Sequence, residues 1–105
     1  MNLYLLALMD KPSVPKSALC PTCTTLDTGS WGSTQQTKHH IVPRSQGGHD
    51  GPTVYLCGHG TAGCHGMAED KKLHFRFTDR WQWLKTDVPT KYERTLMMEG
   101  WRDLT

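Results

Sequence analysis

Two pairs of cysteines constrain this chain more than any other feature. Cys20-Pro21-Thr22-Cys23 sets two thiols on one turn, and Cys57 and Cys64 follow with six residues between them. Four cysteines admit two disulfides or one zinc site. Disulfides go with secretion, and the opening of the chain argues against it. The apolar run Leu3–Met9 has no Lys or Arg ahead of it, and Asp10-Lys11-Pro12 closes it in place of a small-residue cleavage site. It reads poorly as a signal peptide and is too short to span a bilayer. A buried strand or helix turn is expected there, with no membrane contact and a cytoplasmic, reducing setting that favours zinc. The C-x2-C spacing suits two thiolates on one tetrahedral ion. The second spacing is long, so the loop 58–63, with Gly58, Gly60 and Gly63, must fold back to close the set.

A metal would also help such a chain to fold. Hydrophobic residues make up 36% of its 105 residues, beside 10 Gly and 6 Pro, a thin core for one domain, and small domains often add a metal or a disulfide. The net charge of +2 is weakly basic and by itself does not choose a partner. One domain is expected, with a segment 1–19, a zinc-bearing core 20–73 and an extension 74–105.

Turn formers and β-branched residues divide the chain. Residues 24–37 and the turn-rich 44–52 read as loops. Lys38–Val42 fits a short strand ended by Pro43, and Thr53–Cys57 a second strand. Helix formers from Cys64 to Leu73 predict a helix starting near His65. Leu73, Phe75 and Phe77, then Trp81 and Trp83, alternate with polar residues and predict a β-hairpin. A helix is expected within 86–99, from Asp87 as cap, Pro89 in the first turn and Gly100 past the end. The fold class is therefore α+β.

The 33 residues between the cysteine pairs, 24–56, are more than a plain zinc staple requires. They hold His39 and His40, which point to opposite faces if the strand is regular and so have different jobs. His65 directly follows Cys64. A strand, a loop, a strand and a helix can bring His39 and His65 together, where two neutral imidazoles would hold a divalent metal with positions open for water and phosphate. His40 is then left to act as a base. His49, His59 and His74 read as loop or surface. Lys38, Arg44, Lys71 and Lys72 flank this region and are candidates for DNA-backbone contacts. No base-reading element is visible.

The string His39-His40-Ile41-Val42-Pro43-Arg44-Ser45-Gln46-Gly47-Gly48-His49-Asp50, then Val54-Tyr55-Leu56-Cys57, then Cys64-His65, resembles the HNH endonuclease motif. Cys20 and Cys23 match its zinc-containing branch, and Cys57–Gly66 is similar to small phage and prophage HNH proteins. The resemblance covers residues 20–66. It implies a ββα-metal (His-Me finger) core, stapled by a structural Zn2+ on Cys20, Cys23, Cys57 and Cys64, to which the residue pattern adds a C-terminal β-hairpin and helix. It implies His40 as general base, and His39 and His65 as ligands of a catalytic Mg2+, Mn2+, Ni2+ or Zn2+. It implies DNA as substrate, a bacterial host cell, and a phage terminase as a partner in DNA packaging. One letter departs: the chain has Asn2 but no Asn in the motif, whose middle place falls at Pro52 or Thr53. The Thr53 hydroxyl can brace the loop that the Asn normally braces. A zinc-stapled DNA-binding or packaging accessory protein, its catalysis weakened with the Asn, is the alternative. A zinc nucleobase deaminase is excluded, because Leu19 precedes the C-x-x-C and no H-x-E occurs.

Overall fold

The computed structural model describes residues 3–17, 20–22, 36–43, 50–59 and 62–104. Its architecture is α+β. The described chain opens with a single helical turn, α1 (Leu3–Leu6), continued to Lys11 by successive backbone hydrogen bonds. Leu5 and Leu8 turn into the core, while Leu3, Tyr4 and Leu6 stay exposed. The apolar opening is thus a helix turn rather than a strand.

A two-stranded antiparallel sheet follows, β1 (Gln36–His40) against β2 (Thr53–Cys57). β1 ends two residues earlier than the expected Val42. Beyond His40 the chain leaves the ladder, and Ile41 and Val42 are buried in the core instead. The register sets Thr37 opposite Leu56, His39 opposite Val54 and His40 opposite Thr53. Opposed residues share a face, so Thr37 and His39 lie on the face of Val54 and Leu56. Both of those apolar side chains are fully buried, each contributing about 1.5–3 kcal/mol. The next element, α2 (Gly63–Glu69), packs on β2 and on β3.

The predicted hairpin is present as β3 (Leu73–Phe77) and β4 (Trp81–Lys85). Phe75 pairs with Trp83 and Phe77 with Trp81, so the aromatic residues share the inner face. Trp81 Nε1–H donates to the Pro12 carbonyl at 2.8 Å and ties the opening segment down. Leu5, Val54, Trp81 and Leu104 belong to one hydrophobic cluster, which all three expected segments enter.

The expected helix over 86–99 is reduced to α3 (Tyr92–Thr95), capped by Lys91 rather than Asp87. Tertiary hydrogen bonds hold the stretch before it extended: Thr86 N–H donates to the Lys72 carbonyl and Thr90 N–H to the Lys71 carbonyl. Pro89 has no N–H and disfavours the helical region for Val88. A short strand not foreseen, β5 (Arg102–Asp103), adds to β4.

The turn from β2 into α2 brings its flanking backbone into close approach at Gly58 and Gly63. Gly58 and Gly63 have φ of 83° and 68°, a region that side chains with a Cβ rarely enter. A Cβ on Gly63 would sit 2.5 Å from the Cys57 carbonyl oxygen. Between the two glycines, His59 and Ala62 exchange backbone hydrogen bonds at 3.0 and 2.9 Å. Gly63→Ala is expected to destabilise the fold by about 1–3 kcal/mol, the scale of local backbone strain. Urea denaturation checks this, and a variant as stable as the parent would refute the requirement.

Candidate metal centres

Two side-chain groups converge on either side of this turn. In the first, Cys20, Cys57 and Cys64 are buried with their sulfur atoms within 4.8 Å of one another. None of the three is in a disulfide. Backbone amides supply hydrogen bonds to sulfur: Cys57 N–H donates to Cys20 Sγ and Cys64 N–H to Cys57 Sγ, each at 3.3 Å. The Cys64 thiol, then the Cys57 amide and Thr22, lower the Cys20 pKa to about 4 against the effect of burial, and the contact with Cys20 pushes Cys64 up. Three buried, converging thiols with one ready thiolate fit a structural thiophilic metal such as zinc. Cys23, the fourth expected ligand, lies outside the described residues.

The second group joins His39 of β1 to His65 and Glu69 of α2, with ligand atoms again within 4.8 Å of one another. Glu69 Oε1 is 3.4 Å from His39 Nδ1 and 3.4 Å from His65 Nε2. His65 and Glu69 are four apart on one helix, so they share a face. The tautomer of His65 follows from its partners. The single hydroxyl proton of Thr37 is donated to the Gly58 carbonyl at 2.7 Å. Thr37 Oγ1 must then accept from His65 Nδ1–H at 2.6 Å, which leaves Nε2 with its lone pair towards Glu69. His39 is neutral: burial, then the neighbouring His65, lowers its pKa to about 4 against the opposing pull of Glu69. Its Nδ1 is buried without a hydrogen-bond partner. Two imidazoles and a carboxylate with ligand atoms this close form a group that could hold a divalent cation. The open side of the group faces a cleft of about 750 Å³.

His40, beside His39, lines the same cleft, as do Lys38 and Lys71. Thr53 stands opposite His40 in the register, but its hydroxyl contacts Ser13 Oγ at 3.4 Å, on the side of the N-terminal segment. Lys72 is half-buried and, among the described residues, is not part of the cleft lining. Arg44 and His49 lie outside the described residues. His74 corrects an expectation: it is buried, not on a loop or the surface. Its Nε2–H donates to the Lys71 carbonyl at 2.7 Å, and burial lowers its pKa.

Sequence reasoning missed Glu69 and Thr37. The His-x-x-x-Glu spacing on a helix was a readable signal for Glu69. Nothing local marks Thr37, whose role depends on strand register. No family model, curated protein or solved structure matches the chain. Among the described residues no helix is long and apolar enough to cross a membrane.

Thr37→Val should remove the brace on His65 and weaken binding of Mn2+ at the histidine group by about 10- to 100-fold, the usual cost of losing a ligand's orienting partner. The cysteine-bound metal should be unaffected. Calorimetric titration checks both, and an unchanged Mn2+ affinity would contradict the arrangement.

Proposed function

We propose that this protein is a metal-dependent DNA endonuclease of the HNH (ββα-metal) type. The observation that carries the reading is the hairpin followed by a helix, in which neighbouring residues divide two roles. His39 faces His65 and Glu69, while His40 lines the cleft beside them. The cysteine group lies at the root of the same helix, where a structural zinc would support the fold. The sequence resemblance supports the reading, since its His39 and His65 are among the converging side chains.

A divalent cation held by His39, His65 and Glu69 would supply positive charge for the scissile phosphate and its leaving 3′ oxygen. The chain's own residues do the rest. His40 takes a proton from the attacking water as that oxygen bonds to phosphorus. The bond from phosphorus to the 3′ oxygen breaks, and the 3′ oxygen takes a proton from solvent, leaving a 5′ phosphate and a 3′ hydroxyl. Lys38 and Lys71 offer charge to the backbone phosphates, so binding should weaken as salt rises. The mixed nitrogen and oxygen ligands suit Mn2+ or Ni2+ as well as Mg2+. A place beside a phage packaging terminase is supported by the sequence resemblance.

His40→Ala should leave Mn2+ binding unchanged and lower the rate of nicking supercoiled plasmid by about 100- to 10,000-fold, the contribution of a general base. His39→Ala and Glu69→Ala should instead weaken Mn2+ binding, with partial rescue at excess metal. DNA binding without nicking in any of Mg2+, Mn2+, Ni2+ or Zn2+ would overturn the enzyme in favour of an accessory protein.

A further inference from the structure

The cleft is larger and less polar than a backbone phosphate requires. Leu5, Ile41 and Phe75 contribute apolar surface, and His74 and Tyr92 add two rings inclined at 50° with centroids 6.5 Å apart. Two lysines stand at this aromatic side, Lys71 and Lys91. The fold brings their backbones together, since the Lys71 carbonyl accepts from Thr90 N–H at 2.9 Å and from His74 Nε2–H at 2.7 Å. Lys71 has φ of 62° and is the non-glycine residue with positive φ among the described residues. That position ends α2, where glycine is the favoured residue. A lysine kept in a glycine conformation, on the rim of a cleft, points to a use for its side chain. Lys91 is exposed just before α3 and also faces the cleft. The cleft lining carries two acids, Glu69 of the histidine group and Glu93, against the three lysines 38, 71 and 91.

The backbone of duplex DNA offers no aromatic face to such a wall, and a stacked base pair cannot enter a concave site. An unpaired base can, and aromatic rings accept any base by stacking. We propose that this cleft is a subsite for one unpaired nucleotide of a DNA strand, its base against Tyr92, which the buried His74 ring backs, and its phosphates on Lys71 and Lys91. The proposal deepens the nuclease reading and rests on it: the strand cut at the metal group is one that is single-stranded or locally opened. Tyr92 and Lys91 act by binding, with no part in the proton transfer.

The test uses zinc-loaded full chain without a second metal. Fluorescence anisotropy compares a labelled single-stranded oligonucleotide, the matching duplex and that duplex with a three-base bulge. A 2-aminopurine base in the single strand or bulge reports stacking. Unpaired DNA should bind about 10-fold more tightly than duplex, with quenched 2-aminopurine, as stacking on a ring predicts. Tyr92→Leu should abolish the quenching and the preference while duplex binding holds. Lys71→Gly should raise the melting temperature, by relieving the backbone, and still weaken single-strand binding several-fold. Lys91→Gln, which leaves the backbone alone, should weaken it likewise. Equal affinity for duplex and single strand, or unchanged binding in both lysine variants, would overturn the subsite. Cleavage in Mn2+ without preference for unpaired DNA would overturn it and leave the nuclease reading standing. Selective binding without cleavage in Mn2+, Mg2+ or Ni2+ would do the reverse.

Discussion

The glycine-locked turn between β2 and α2 carries the rest of the structure. Gly58 and Gly63 pack so closely that neither position has room for a Cβ, and their φ angles lie where residues with a Cβ are strained. The closure brings Cys57 and Cys64 together on Cys20. One residue further on, the same helix start delivers His65 to β1. The Gly58 carbonyl accepts the Thr37 hydroxyl, and Thr37 in turn fixes the His65 ring. A single backbone device therefore sets both the thiol group and the imidazole-carboxylate group, and couples them through a few covalent bonds.

This coupling explains why a chain with so thin a core can hold a precise site. Three buried thiols are small side chains that add little apolar area to the core. With a thiophilic metal bound, binding free energy becomes folding free energy, and β2 and α2 are fixed relative to the segment that carries Cys20. The site then needs no large scaffold. The C-terminal hairpin and α3 serve the cleft instead. They close its far wall with Phe75, His74 and Tyr92 and bury the tryptophans of β4 beneath it.

Much of this was legible in the sequence where the signal is local. The Cys57–Cys64 spacing, the β-branched run of β2 and the alternating aromatic residues of β3 and β4 each report their own structure. The adjacency of Cys64 and His65 was enough to bring His65 towards His39. Glu69 was legible in principle from helix periodicity but carries no mark apart from its neighbours. What could not be read depends on distant partners. Thr37 acquires its role from the register of β1 on β2. The helix expected over 86–99 shrank because Thr86 and Thr90 hydrogen-bond to Lys72 and Lys71, a tertiary tie that outweighs local propensity. His74 was expected at the surface because it neighbours Leu73 and Phe75 in an alternating strand. It is buried because α3 covers that face and the Lys71 carbonyl satisfies its ring.

The central claim is that one turn builds two chemically distinct metal centres. X-ray absorption at the zinc and manganese edges, on protein loaded with one equivalent of each metal, tests it most directly. The account predicts a sulfur-dominated zinc shell at about 2.3 Å and a manganese shell of nitrogen and oxygen with no sulfur. Nitrogen and oxygen dominating the zinc shell, sulfur around manganese, or manganese that binds only when zinc is absent would contradict it.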